Sequence, residues 1–348
     1  MSRHPTFGRP SLMEREIDEA PDVVARQAED LVAPVAELVA RLGRAPPRLV
    51  MTCARGSSAH AATFGKHLIE RHLGIPVAAA APSIATVYGG TLRLDGQLFL
   101  AISQSGMSDD IVEATRAARR AGALTAAIVN MLDSPLADAC DIVLPMGAGP
   151  ERSVAATKTF IAALAVLLRF VARLSDDGAM DKALTRLPAR LAAAGALDWS
   201  PALAPLAGAA SLVTIGRGPT LAIAREASLK LNENCRLHAE AFSGAEFEHG
   251  PVTLVSNDYP IVLFMPTDAA AAGLQALAAK LRRKGAALVV AEPGGAAPGR
   301  LATLPPDHPE TDAVCLIQTF YGLAHRLAAR IGTDVDQPRH LQKVTRTR

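Results

Sequence analysis

Ser103, Gln104, Ser105 and Ser108 crowd into one short joint, SQSGMSDD (residues 103–110), between an apolar run and a helical pattern. Clustered hydroxyls at such a joint suit an anion. The first turn of a helix offers unpaired backbone N–H groups and the positive end of the helix dipole. Serine hydroxyls add neutral donors, so a phosphate dianion can be held without a lysine. Gly106 lets the backbone approach closely. The same residues also suit plain capping, with Ser105 or Ser108 at the cap and Asp109 and Asp110 as first-turn acids. A second serine-rich joint, Gly56-Ser57-Ser58, and a hydroxyl-rich helix entry, SVAATKTF (153–160), favour the anion.

Proton chemistry has a different candidate. In EASLKLNE (226–233), Glu226, Lys230 and Glu233 stand at i, i+4 and i+7 and share one helix face. A carboxylate one turn from a lysine can transfer protons. The same spacing is more often a solvated face. His249 ends HAEAFSGAEFEH (238–249) and is followed at once by Gly-Pro. A loop histidine titrates near neutrality, although a lone one is usually incidental. The tail, TDVDQPRHLQKVTRTR (333–348), holds an Asp-Gln-Pro-Arg turn and Lys343, to which composition assigns no chemistry. Its basic end, VTRTR, reads as a solvated terminus.

Repeated elements must position these residues. A short apolar run, a small-residue joint and a helix of 3.6-residue periodicity recur along the chain. RLVMTCA (48–54) leads into RGSSAHAATFGKHLIERHLG, and LFLAI (98–102) into SQSGMSDD and a helix ending at Gly122. ALTAAIVN (123–130) follows as another buried strand. Continuous apolar strands alternating with helices predict a parallel sheet covered on both faces. The pattern then repeats. SLVTIGRGPTLAIAREASLKL (211–231) resembles residues 48–68, and Arg55-Gly56 aligns with Arg217-Gly218 at an offset of 162. Residues 261–293 likewise mirror 98–130. The reading is an α/β domain present twice. A helical preface covers 1–45, the first domain 46–195, the second 196–330, and a tail 331–348. The boundary falls in the Ala/Pro-rich stretch AAGALDWSPALAPLAG (193–208). Where the first copy has SQSGMSDD, the second has PTDAAAAG. A joint that only turned the chain could look alike in both.

Composition narrows the partners. The 348 residues suit about two domains. A net charge of +2, from 36 basic and 34 acidic residues, gives no reason to expect nucleic acid or an anionic membrane. Aromatic residues, at 4%, are too few for stacking on bases. The longest apolar helix, FIAALAVLLRFVARL (160–174), is interrupted by Arg169 and Arg173 and reads as a core helix, not a membrane span. Cys53, Cys140, Cys235 and Cys315 form no C-x-x-C pair. With no apolar signal core at the N-terminus, they predict buried reduced thiols in a cytoplasmic protein. The nine histidines show no metal-binding spacing. Neither a P-loop nor a G-x-G-x-x-G fingerprint is present.

Taken together and in order, SQSG after a strand, VAATKTF, EASLKLNE, HAEAFSGAEFEHGP and TDVDQPRHLQK resemble the sugar-isomerase (SIS) domain family, above all the isomerase half of glucosamine-6-phosphate synthase. The resemblance runs from MEREIDEAP (13–21) to the C-terminus. It implies two tandem SIS domains, each a flavodoxin-like parallel sheet flanked by helices, and a homodimer. It implies a sugar 6-phosphate substrate and no cofactor or metal. Ser103, Gln104, Ser105 and Ser108 match the family's phosphate loop. Ser57 and Ser58 match a second sugar-phosphate loop, and Val154 a backbone contact to the sugar. Glu233 matches the base that moves a proton between C1 and C2, with Lys230 and Glu226 as its polar support. His249 matches the ring-opening histidine, which the family donates across the dimer interface. Lys343 matches the lysine that can form a Schiff base with the open-chain ketose.

Two departures matter. The synthase pattern Cys-Gly-Thr-Ser is Arg55-Gly56-Ser57-Ser58 here, which places a new charge near the sugar. SQSGET becomes SQSGMS. The synthase's glutaminase domain and its terminal cysteine nucleophile have no counterpart before Cys53. At low ammonia, mass action then favours release. The expectation is therefore a metal-independent glucosamine-6-phosphate deaminase yielding fructose 6-phosphate and ammonia. The alternatives are a galactosamine-6-phosphate deaminase/isomerase, a fructosamine-6-phosphate deglycase, or, in another class, a non-catalytic phosphosugar sensor.

Overall fold

The structure is a computed structural model that describes residues 10–295 and 297–343. The VTRTR end lies outside the described residues. Three helices open the chain, α1 (Leu12–Asp18), α2 (Ala20–Asp30) and α3 (Val32–Arg44). The first sheet comprises β1 (Val50–Ala54), β2 (Val77–Ala79), β3 (Leu98–Ser103), β4 (Leu124–Val129) and β5 (Ile142–Pro145). Its helices are α4 (Gly56–Leu73), α5 (Ser83–Thr86), α6 (Asp109–Arg120) and α7 (Pro135–Ala139), followed by α8 (Lys158–Ser175) and α9 (Gly178–Gly195). After α10 (Leu203–Ala207) the second sheet is built from β6 (Ser211–Gly216), β7 (His238–Ser243), β8 (Pro260–Phe264), β9 (Ala287–Pro293) and β10 (Arg300–Thr303). The helices α11 (Thr220–Cys235), α12 (Gly244–Glu248), α13 (Ala271–Arg283) and α14 (Pro309–Arg330) complete it.

Both sheets are parallel, as the unbroken apolar strands predict. The first has the order β2-β1-β3-β4-β5, and the second reads β7-β6-β8-β9-β10 in the same sense. Each strand of one copy thus has its counterpart in the other, so the internal repeat is a repeat of topology. β3 is buried along its whole length and pairs in register with β1 and β4, with Ala54 opposite Ile102 and Ser103 opposite Val129. Phe99, Ile111 and Leu136 lie in the first core, and Ile215, Phe247 and Leu281 in the second. Burial of each such side chain contributes about 1.5–3 kcal/mol.

The long apolar stretch is α8, a core helix that packs on α4 and α3. Gly65 permits the close approach, since a Cβ there would lie 3.0 Å from Leu167. Among the described residues, no helix is long and apolar enough to cross a membrane.

Packing divides the chain into two compact units that do not follow chain order. One holds residues 22–150 and 158–188 with the first sheet. The other holds, among the described residues, 10–21, the short segment 151–157, and those from 189 to 343 with the second sheet.

The order of each sheet reverses direction beside its first strand, and ligands of such sheets bind at that switch point, beyond the strands' carboxyl ends. In the second sheet this place is closed from within. A Cβ on Gly216 would meet the Thr220 carbonyl oxygen at 2.1 Å, so strand and helix touch backbone to backbone. The Thr220 hydroxyl reaches the Phe264 carbonyl at 2.8 Å and accepts from the Arg217 N–H at 3.1 Å. Beyond β8, the Asp312 carboxylate accepts from the Thr267 hydroxyl at 2.7 Å and from Arg190 at 2.8 Å.

Candidate active site

The first sheet's switch point is built differently. β1 leads through Arg55 into Gly56, Ser57 and Ser58 at the start of α4, and β3 runs at Ser103 into the rest of SQSGMSDD and the start of α6. Gly106 has φ +64°, and a Cβ there would fall 2.1 Å from the Ser134 hydroxyl, so only glycine fits. The bend turns the loop back on itself. Ser103 accepts from the Gly106 N–H at 3.1 Å, and Ser105 from the Met107 N–H at 3.3 Å. Ser108 occupies the N-cap of α6, yet its hydroxyl makes no capping bond. Capping alone therefore does not explain this serine. Gln104, Ser105, Ser108, Ser57 and Ser58 are half-buried, and Ser103 is buried. Arg55 is exposed and reaches from one joint to the other, its guanidinium 2.8 Å from the buried Asp110 carboxylate. The new charge of this chain is thus tied to the first turn of α6.

The residues suited to proton transfer lie in the other unit. Glu226, Lys230 and Glu233 share one face of α11, and that face is turned inward. The Lys230 Nζ is 2.5 Å from Glu233 and 3.4 Å from Glu226. Lys230 and Glu226 are 0% exposed, while Glu233 is 22% exposed. The spacing that usually marks a solvated face here marks a buried ionic chain with one carboxylate at its open end. Tyr321 of α14 extends it, donating its hydroxyl to Glu226 at 3.1 Å. Burial alone would push the Lys230 ammonium down, but Glu226, Glu233 and Glu151 more than offset it and hold its pKa above the ordinary value. The Tyr321 hydroxyl is pushed up, by burial first and by Glu226 second. It stays protonated as a donor.

The segment 151–157 joins this cluster. Glu151 is buried and accepts from the Thr157 N–H at 3.0 Å and from Lys343 at 2.9 Å. Lys343 of the tail is therefore brought to the segment that carries Val154, which is half-buried. His249 is not a hydrogen-bonded member of the cluster. It closes α12 on an exposed turn, its N–H donating to the Glu246 carbonyl at 3.0 Å.

Sequence reasoning did not find Tyr321 or Glu151. Tyr321 lies 95 residues from Glu226, and Glu151 lies 192 from Lys343, so no local spacing announces either. The sole hint was that Glu151 stands just before the hydroxyl-rich helix entry.

Comparison with known proteins adds the lineage. The model of the SIS domain matches residues 46–173 and 205–291. A glutamine–fructose-6-phosphate aminotransferase (isomerizing) of Zymomonas mobilis is 34% identical over 95% of this chain and 58% of its own length. The chain thus spans somewhat over half the length of the curated relatives it matches. Among solved structures, a candidate phosphosugar isomerase from Silicibacter pomeroyi is 42% identical, with a TM-score of 0.89 over 94% of this chain and all of its own. The C-terminal domain of the glucosamine-fructose-6-phosphate aminotransferase from Francisella tularensis is 26% identical, with a TM-score of 0.83 over 96% of this chain and all of that domain.

Proposed function

This chain belongs to the SIS domain family, and from that premise we propose that it is an amino-sugar phosphate deaminase. It takes glucosamine 6-phosphate and water to fructose 6-phosphate and ammonia. The observation that carries the reading is the buried chain Tyr321–Glu226–Lys230–Glu233, whose one partly exposed member is a carboxylate.

Ser103, Gln104, Ser105 and Ser108, with Ser57 and Ser58, hold the phosphate, and binding energy there fixes C1 and C2 in place. His249, donated by a second copy of the chain, assists opening of the sugar ring. Glu233 takes the proton from C2 and returns it to C1. The C1 carbonyl becomes an alcohol, and the carbon–nitrogen bond at C2 becomes an imine. Water adds at C2 and ammonia leaves, so atoms balance. Lys230 orients the Glu233 carboxylate through their ion pair, and Glu226 and Tyr321 hold Lys230. Lys343 can condense with the ketose carbonyl with loss of one water, and hydrolysis of that Schiff base by one water frees the amine and fructose 6-phosphate.

The buried thiols are compatible with release. Hydrolysing glutamine by a thiolate needs a cysteine of low pKa. Burial pushes Cys53, Cys140, Cys235 and Cys315 each up to about 12. None of these four residues offers that nucleophile, and the reading takes the reaction in the direction of ammonia release.

Identity to a candidate phosphosugar isomerase favours a second reading within the class, the isomerisation of a sugar phosphate without an amino group. Purified protein is incubated with glucosamine 6-phosphate, and ammonia and fructose 6-phosphate are assayed together. Both products in equal amounts are expected. Absence of ammonia sinks the deaminase, and ketose formed from an aldose phosphate in its place establishes the second reading.

A further inference from the structure

Helix α1 has no part in the chemistry above, yet it is bonded to each of three segments that do. Its start is held by the tail. The Asp336 carboxylate accepts from the Leu12 N–H at 2.8 Å and the Met13 N–H at 3.1 Å. Its middle holds the segment 151–157. Glu16, 4% exposed, accepts from the Arg152 N–H at 2.5 Å and the Ser153 N–H at 3.2 Å, and it also takes the Ser153 hydroxyl. Its inner face rests on α11 and α14. Met13 lies 3.5 Å from the Asn234 amide, next to Glu233, and the Ile17 carbonyl accepts from Gln318 at 3.0 Å.

These contacts form a closed circuit. The tail grips α1 through Asp336. Helix α1 grips residues 152 and 153 through Glu16. The neighbouring Glu151 grips the tail again through Lys343, 2.9 Å away. The tail is thus fixed at two points seven residues apart, one on α1 itself and the other on the residue beside the two that Glu16 holds. A buried carboxylate with three donors is costly to disturb, because removing it leaves those donors unsatisfied. Three donors converging on Glu16 exceed what docking one amphipathic turn requires.

We propose that Glu16 is a positioning residue for the reaction, and that α1 sets Val154, Lys343 and the Glu233 end of α11 in one arrangement. This rests on the deaminase reading for its kinetic arm alone. Glu16 touches no reacting atom. Its amide isostere can keep one oxygen on the Arg152 and Ser153 N–H groups but must turn its NH2 toward the Ser153 hydroxyl, which donates to the carboxylate in the native chain, so the segment has to shift. A displacement of about 1 Å at a reacting group can cost on the order of 100-fold in rate.

The test uses the full chain and two variants, Glu16→Gln and Asp336→Asn. Steady-state kinetics are measured with glucosamine 6-phosphate, and backbone hydrogen exchange is followed by peptide across the whole chain. For Glu16→Gln, kcat falls by about 10- to 100-fold with KM within about three-fold. Exchange speeds up in peptides covering 151–157 and 334–343 and is unchanged in the second sheet. Asp336→Asn loosens 334–343 and lowers kcat less. A simple loss of stability would instead speed exchange throughout the unit. Unchanged exchange at 151–157 in Glu16→Gln, or unchanged kcat, overturns the proposal. If Glu16→Gln does not fold, Asp336→Asn decides, and unaltered exchange of the tail overturns it. If the wild-type protein releases no ammonia, the deaminase reading fails while the exchange measurement still judges the circuit.

Discussion

Lys230 and Glu233 stand one turn apart on α11 with Nζ and Oε2 2.5 Å from each other, the lysine fully buried and the glutamate 22% exposed. The pair places a positive charge behind a carboxylate that stays partly open to solvent. A carboxylate in that position is held in one orientation without being sealed off.

Replacing Glu233 by Gln removes the proton carrier and keeps its shape. We expect kcat to fall by about 100- to 10,000-fold, the usual worth of a general base, with little change in KM. Ammonia release measured at saturating glucosamine 6-phosphate checks this. Undiminished turnover removes Glu233 as the base.

Lys230→Met leaves Glu226 buried with its cation gone. Breaking a buried ion pair from one side costs about 3–5 kcal/mol. Adding Glu226→Gln should recover a large part of that loss, because the orphaned charge disappears too. Urea unfolding of the single and double variants gives the values. A single-variant loss below about 1 kcal/mol would contradict the burial of this pair.

Alkaline pH should weaken the fold steadily. The four thiols are raised from 9.0 to about 12, chiefly by burial, so their contribution is complete below pH 9 and is lost as pH climbs from 9 towards 12. Lys230 adds to this with the same sign. Its folded pKa exceeds 10.5, so its contribution is intact below 10.5 and fades as pH passes the folded value. Urea midpoints between pH 8 and 11.5 should decline from about pH 9. A flat or rising series speaks against both groups.

Gly106→Ala forces a side chain onto a residue at φ +64° and within 2.1 Å of the Ser134 hydroxyl. The loop must shift, with a loss of roughly 1 kcal/mol or more in stability. Ser103→Ala and Ser105→Ala change donors without such strain. All three should weaken sugar 6-phosphate binding, read by calorimetry. Unaltered affinity in the serine variants would dismiss the phosphate assignment.

Much of this fold is legible in the sequence. Buried parallel strands have unbroken apolar runs, and a duplicated domain repeats its joints at a fixed offset. The face shared by Glu226, Lys230 and Glu233 is local geometry and can be counted along the chain. What that face looks at is not local. Only long-range packing shows that it turns inward to Tyr321. Glu16, Glu151 and Asp336 stayed silent for the same reason, since each acts on residues far away in sequence. An acid such as Asp336 in an Asp-Gln-Pro-Arg turn looks like any turn residue until the helix it caps is seen.

Asp312 shows what the duplication left behind. In the second copy a carboxylate of the protein itself sits beyond β8, held by Thr267 and Arg190, in the neighbourhood where the first copy presents its serines. That half places a carboxylate of its own among those donors. Twin architecture need not mean twin capacity, and a titration with glucosamine 6-phosphate should saturate at one molecule per chain.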